Sequence, residues 1–414
     1  MAALGTSLVL PAAAQLRVEI SGVGATQIPV ALGPFGGEAP GLVSLSSVIR
    51  ANLERSGAFR GLDAPAGLDE RSRLPQAEVR AQGADALLAG SMHRLADGTF
   101  DVRYRLWDAV KGTQALARAV TVPAADLRLA AHRIADEVFE ALTGDKGVFA
   151  TRIAYITRSG RQFALHITDA DGEGGQVALR SAEPIISPAW SPNGREIAYV
   201  SFESQKAAVW VQNVATGQRS MVANFRGSNS APAWSPDGSE LAVTLSRDGP
   251  AQIYVMPRAG GTPRRLTTSA AIDTEPVFSP DGRQVFFVSD RGGGPQIYRM
   301  PASGGSAERV TFSGSYNISP ALSPDGRTLA YINRNGSAFR LTTLDLSNGT
   351  VQTLSDTVDD ESPSFAPNGR LIVFATRAQG RDVLMTTTLD GRIRTRLLSG
   401  GADMREPAWG PFGR

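Results

Sequence analysis

The segment Ser187-Pro-Ala-Trp-Ser-Pro-Asn-Gly194 returns five more times along the chain. Its copies are Ala231-Pro-Ala-Trp-Ser-Pro-Asp-Gly238, Glu275-Pro-Val-Phe-Ser-Pro-Asp-Gly282, Ser319-Pro-Ala-Leu-Ser-Pro-Asp-Gly326, Ser362-Pro-Ser-Phe-Ala-Pro-Asn-Gly369 and Glu406-Pro-Ala-Trp-Gly-Pro-Phe-Gly413. The second prolines, at 192, 236, 280, 324, 367 and 411, are 44 residues apart four times and 43 once. A fixed period of this length marks a repeat architecture.

Each Ser-Pro-Asp-Gly reads as a reverse turn. Proline pre-sets φ, aspartate tolerates the next position, and glycine takes the left-handed exit. A β-rich run follows each of the first five turns: Ile197–Val200, Leu241–Thr244, Val285–Val288, Leu329–Ile332 and Leu371–Phe374. These runs are almost continuously apolar rather than alternating, as a strand covered on both faces requires. A second strand and a glycine turn follow, and then a shorter strand, as around Arg265-Leu266-Thr267 or Arg309-Val310-Thr311. Four short strands per repeat is one propeller blade. The large residue at each anchor (Trp190, Trp234, Phe278, Leu322, Phe365, Trp409) is expected between adjacent blades.

Ring closure is legible as well. Ile153–Ile156 lies 44 residues before Ile197–Val200 but lacks a motif in front of it, whereas the sixth motif has no strand behind it. The two halves complement each other. The expectation is an all-β six-bladed propeller over residues 149–414, closed by pairing of the C-terminal strand with the first blade.

Residues 23–144 show no such period. Ile28–Leu32, Ala86–Leu88, Asp101–Trp107 and Leu116–Val122 read as strands. Leu45, Val48, Ile49 and Leu53 share a helical face, as do Leu127, Ile134, Val138 and Leu142 in a helix stopped at Gly144. Together they predict an α+β N-terminal domain, joined by a short linker, 143–148, to the propeller. At the start, residues 1–14 are apolar, and Ala12-Ala13-Ala14 resembles a signal-peptide cleavage site. No Lys or Arg precedes Arg17, so either the true start lies upstream of Met1 or the segment is a remnant. No stretch has the ~18 apolar residues a membrane span needs.

Composition narrows the chemistry. The 414 residues contain no cysteine, which removes disulfides, thiolate metal sites and a cysteine nucleophile. Only three histidines exist, His93, His132 and His166, and each reads as a packing residue. A net charge of +2 with scattered arginines argues against a nucleic-acid binder. No phosphate-binding loop, His-Glu-x-x-His or Gly-x-Ser-x-Gly elbow occurs. Asp169-Ala-Asp-Gly-Glu-Gly174 looks like a calcium loop, but Arg180 stands where the bidentate glutamate belongs, so a hairpin is expected. No cofactor, metal site or catalytic triad is expected.

What remains is a surface. The loops entering the motif strands carry polar residues that differ between blades: Ser228-Asn229, Asp273-Thr274-Glu275, Tyr316-Asn317, Asp359-Asp360-Glu361 and Met404-Arg405-Glu406. Loops on a rigid scaffold commonly carry recognition. The acids Asp273, Glu275, Asp359, Asp360, Glu361 and Glu406 would complement a basic partner.

This order of domains, with Asp136-Glu-Val-Phe-Glu-Ala-Leu-Thr-Gly144, Arg152-Ile-Ala-Tyr155 and Ile197-Ala-Tyr-Val-Ser-Phe-Glu-Ser204, resembles the TolB family, periplasmic propeller components of the Tol–Pal system of Gram-negative bacteria. The resemblance implies a monomeric, non-catalytic periplasmic adaptor. It implies binding of the peptidoglycan-associated lipoprotein Pal at the propeller mouth, through Ser228, Asn229, Thr274 and Glu275 with Asn317, Asp360, Glu361 and Arg405 contributing. Ser228 stands where family members often carry histidine. It also implies binding of TolA by the strand 15–22, that is Gln15, Leu16, Arg17, Val18, Glu19 and Ile20, where Leu16, Val18 and Ile20 alternate as strand addition requires. Other periplasmic or outer-membrane proteins are further possible partners. The family role implied is outer-membrane integrity and envelope constriction at division, and in some contexts protein import. Rival readings are a propeller hydrolase using a channel site and a sugar- or peptide-binding propeller.

Overall fold

The computed structural model describes residues 27–39, 41–397 and 402–413. The expected signal-like segment and the strand 15–22 lie outside the described residues. The chain divides into two compact units, with the boundary between Gly147 and Val148.

The first unit is one five-stranded sheet with helices. Its elements are β1 (Ile28–Leu32), α1 (Leu45–Arg55), β2 (Phe59–Asp63), α2 (Gln76–Ala81), β3 (Ala86–Arg94), β4 (Phe100–Asp108), β5 (Thr113–Val122) and α3 (Leu127–Thr143). Strand order is β2-β1-β3-β4-β5, parallel across β2, β1 and β3 and antiparallel from β3 to β5. The stripe Leu45, Ile49 and Leu53 of α1 is buried, as are Leu127, Ile134, Val138 and Leu142 of α3. Gly144 ends α3 at φ 80°, with its N–H donated to Glu140 O. His132 is fully buried on α3, its Nδ1 2.7 Å from Asn52 Nδ2. Sequence periodicity missed β2 and α2, which are short, and cut β3 to a third of its length.

The second unit is six four-stranded sheets. Blades II to V take consecutive strands, beginning at Ile185, Asn229, Asp273 and Asn317, and blade VI runs from Glu361 to Arg396. Blade I is composite. Its innermost strand, Asp403–Trp409, pairs with Arg152–Ser159, with Trp409 opposite Ile153 and Met404 opposite Thr157. Closure therefore occurs as the half-motifs at the two ends require.

The second strand of each blade is buried on both faces. Leu241, Ala242 and Val243 are all 0% exposed, for example, because one face packs on the blade before and the other on the blade after. The turn is as its residues dictate. Gly238 N–H donates to Ser235 O at 2.9 Å, and Ser235 Oγ donates to Asp237 Oδ1 at 2.6 Å. The Ser235 hydroxyl, then the Ser239 N–H, hold the Asp237 carboxyl down to about 2. Gly238 has φ 72°, and a Cβ there would sit against Pro192 of the preceding turn. The same relation runs around the ring to Gly194 and Pro411. The Asp169–Gly174 segment is a hairpin, Asp169 N–H donating to Glu173 O at 3.0 Å.

The anchors sit between blades, and the tryptophans add a directed bond. Trp234 Nε1 donates to Ala189 O at 3.0 Å, Trp190 Nε1 to Ala408 O at 3.0 Å, and Trp409 Nε1 to Thr151 Oγ1 at 2.8 Å. Trp409 thus belongs to the closing strand and fills an interblade gap. Trp409→Ala is expected to cost about 3–5 kcal/mol in a urea titration, as large-to-small core changes do, whereas Ile272→Ala, at a side chain 52% exposed, should cost under about 0.5 kcal/mol.

Candidate functional site

The six innermost strands surround a channel of about 590 Å3. Each carries a one-residue bulge at the same place, for example between Ser230 and Ala233, or Arg405 and Ala408. The residue before the first proline of the motif is left-handed in every blade: Ser187, Ala231, Glu275, Ser319, Ser362 and Glu406, with φ from 47° to 54°. None is glycine. A side chain in that region costs on the order of 1 kcal/mol or more, and such strain concentrates where function needs it. The bulge swings these six residues into the channel lining.

Two of the six are glutamates, in blades I and IV, opposite one another in the ring order. Glu275 Oε2 accepts the Ser319 N–H at 2.6 Å, and Glu406 Oε2 accepts the Ser187 N–H, so each ties its blade to the next. Glu361 joins them in the lining. Burial raises all three carboxyls. Glu406 is pushed up to about 7 by burial, with Glu361 and Glu275 adding to the rise and Ser187 and Arg405 opposing it. Within the propeller, among the described residues, no three His, Asp or Glu donors converge closely enough to hold a metal ion. His166 stacks on Tyr155 with ring centroids 5.2 Å apart, and burial lowers its pKa.

Beside the channel, a cleft of about 260 Å3 is lined by Asp359, Glu361, Thr376, Arg377, Asp382 and Arg405. Arg405 pairs with Asp382. Glu361 lines both, so the cleft adjoins the channel and adds mixed charge beside it.

The expected site residues divide into two groups. Glu275 and Glu361 line the channel, Arg405 is exposed in the cleft, and Ser228 is exposed with its N–H on Ser246 Oγ at 2.8 Å. Thr274 is half-buried on the inner strand, 3.5 Å from Thr244 Oγ1. Asn229, Asn317 and Asp360 are different: they are buried, and their side chains work internally. Asn229 accepts from Phe225 N–H and donates to Ala207 O, Phe225 O and Gly227 O. Asn317 bonds Gln296, Ser313 and Asn333. Asp360 accepts from Leu341 N–H at 2.8 Å and from the Ser355 and Thr357 hydroxyls.

Asp273 is buried too, held bidentately by Arg291 at 2.9 Å, so neither it nor Asp360 displays charge to a partner. These four stand at one repeat position, 43 or 44 residues apart, where a polar side chain pins the loop from behind. In sequence they are indistinguishable from displayed polar residues, because loop and inner-strand start merge. Asp382 and Thr376 carry no signal in the sequence for the opposite reason: they belong to a hairpin with no motif. Glu406 stands among the loop acids that the sequence marks as complementary to a basic partner.

The fold and its mouth define a class: a six-bladed propeller, preceded by an α+β domain, that offers a strained, carboxylate-lined opening framed by variable loops. Comparison narrows it. The family model described as "TolB beta propeller domain" matches residues 139–413, and "TolB amino-terminal domain" matches residues 16–115. The chain is 70% identical over 406 residues to the Tol-Pal system protein TolB of a Polaromonas species, covering 98% of this chain and 95% of that one. It is 53% identical to the Bordetella pertussis protein of the same name, covering 98% and 93%. The crystal structure of TolB from Acinetobacter baumannii superposes with TM-score 0.86 at 38% identity, covering 96% of this chain and all of that one. The chain belongs to the TolB family.

The raised Glu406 carboxyl makes a stability prediction. Between the ordinary carboxyl value and about 7 the folded state holds more protons than the unfolded state, so stability falls as pH rises through that window. Glu406→Gln keeps an acceptor for Ser187 and removes the charge. It should stabilise the protein by about 2 kcal/mol at pH 8 and leave pH 4 stability nearly unchanged, as read from urea midpoints.

Proposed function

We propose that this chain is a non-catalytic adaptor of the Tol–Pal system, acting in the periplasm and supporting outer-membrane integrity and envelope constriction at division. It binds Pal at the propeller mouth and TolA through residues 15–22. The observation that carries the reading is the match along nearly the whole length of relatives named Tol-Pal system protein TolB. The asymmetry of the ring supports it. The turn after each inner strand keeps its proline and glycine in all six repeats, whereas the loops that enter the inner strands differ from blade to blade. Among the described residues no helix is long and apolar enough to cross a membrane.

The mouth residues for Pal are Ser228, Thr274, Glu275, Glu361 and Arg405, while Asn229, Asn317 and Asp360 set loop shape. Titration calorimetry of the full chain with the purified Pal domain tests this. Arg405→Glu should weaken binding roughly tenfold or more, with a folded far-UV circular dichroism spectrum. Deleting residues 15–22 should abolish TolA binding and leave a folded propeller. Undiminished Pal binding by Arg405→Glu combined with Ser228→Trp would move the interface away from the mouth.

A further inference from the structure

Between blades IV and V lies a second cleft, of about 280 Å3, none of whose lining residues touches the channel. Its wall is built from the third and outer strands of blade IV and the second, third and outer strands of blade V. One group in it lacks the hydrogen-bond partner that its repeat equivalent has, and a second lacks the nearby carboxylate that its equivalent has.

The first is Tyr331. Three repeats earlier, Tyr199 donates its phenol hydrogen to Gln212 Oε1 at 3.2 Å. Gln212 faces Ile197 across its strand pair, and the residue facing Leu329 in the same register is Leu344. The acceptor is therefore gone. Tyr331 is 1% exposed, its hydroxyl bonds no described residue, and it is pushed up to about 12 by burial alone. It lines the cleft.

The second is Arg309. One repeat earlier, Arg265 lies in the field of Asp248, whose position in blade IV is taken by Gly292. Arg309 Nε donates to Thr311 O at 2.6 Å, and its guanidinium rests over the Phe312 ring at 5.3 Å. It has no ion pair among the described residues, because the neighbouring Glu308 is taken by Arg299 at 3.0 Å. Phe312 itself is 74% exposed and Val351, also in the lining, 42%.

A phenol without a protein acceptor, an arginine without an ion pair and two exposed apolar side chains thus line one opening, whose own acids are already engaged, Glu308 by Arg299 and Asp345 by Ser347 and Asn348. We propose that this cleft is a docking site for an extended segment of a partner protein that presents an apolar side chain beside a carboxylate. The apolar side chain covers Phe312, Val351 and Leu344. The carboxylate accepts from Arg309 and from the Tyr331 hydroxyl. Charge-assisted bonds to a half-enclosed carboxylate supply the selectivity, and the apolar contact supplies area. The site is separate from the mouth, so it stands whether or not Pal binds there.

The test uses the full chain and three blocked dipeptides, acetyl-Asp-Phe-amide, acetyl-Asn-Phe-amide and acetyl-Asp-Ala-amide, followed by saturation-transfer NMR. Acetyl-Asp-Phe-amide should bind with a Kd on the order of millimolar, as fits a fragment of this size, and the other two at least fivefold more weakly. Arg309→Gln and Tyr331→Phe should each weaken it threefold or more. Tyr331→Phe should melt no lower than the wild type, since the phenol has no partner to lose. Arg405→Glu, at the mouth, should leave it unchanged. Equal binding of the Asn peptide, wild-type affinity in both cleft variants, or loss in Arg405→Glu would each overturn the proposal. So would a dimer abolished by Phe312→Ser, which would assign the cleft to a second copy of this chain.

Discussion

A four-stranded blade with two apolar faces has no stable existence by itself, and every other feature of the propeller follows from that constraint. Each blade covers one face of the next, so the series is stable only when the last covers the first. Here the covering is done by a strand borrowed from the far end of the chain, Asp403–Trp409 beside Arg152–Ser159. The pairing removes an edge and links residues some 250 positions apart in one sheet. Trp409 makes the junction specific. Its indole N–H finds Thr151 while its ring enters the same cluster as Ile153, Leu371 and Val373.

The mouth depends on the same closure. A left-handed, non-glycine residue before proline is disfavoured twice, by its own Cβ and by the proline ring that follows. Six such residues persist because paired strands on either side of each bulge fix the backbone. At two junctions the strained residue also supplies the bond to the next blade, through Glu275 and Glu406. Stability and display are joined in one position: the residues that bend the inner strand are the residues that face the channel. The raised carboxyls follow from this placement. The carboxyls of Glu275 and Glu406 lose much of their water there and each regains one N–H bond, which does not compensate fully.

The fold was legible because it is periodic. Proline and glycine at fixed offsets declare the turn, continuous apolar runs declare a strand covered on both faces, and the orphaned half-motif at each end declares closure. Little of this transfers to residues 27–147, where β2 and α2 are too short for a pattern and only the two longer helices carry a clear stripe. The site was legible to the level of the loop and not of the side chain. Asn229, Asp273, Asn317 and Asp360 look like a ring of polar contacts, yet all four turn inward to hold the loops that Ser228, Thr274 and Glu361 occupy. Whether a polar residue at a strand entrance faces in or out depends on where the backbone N–H groups behind it need an acceptor, and that is decided by three strands at once.

Departures from the repeat therefore carry more functional information than the repeat itself. Where Gln212 becomes Leu344, a phenol bonded inside one blade is left without its acceptor in another, and where Asp248 becomes Gly292, an arginine loses a nearby carboxylate. Where Ser187, Ala231 and Ser362 give way to Glu275 and Glu406, a neutral rim acquires charge at opposite blades. The repeated residues must solve the same packing problem six times and are constrained to agree. The exceptions are free of that demand. In a ring whose blades are otherwise interchangeable, they are what tells a partner which blade it has met.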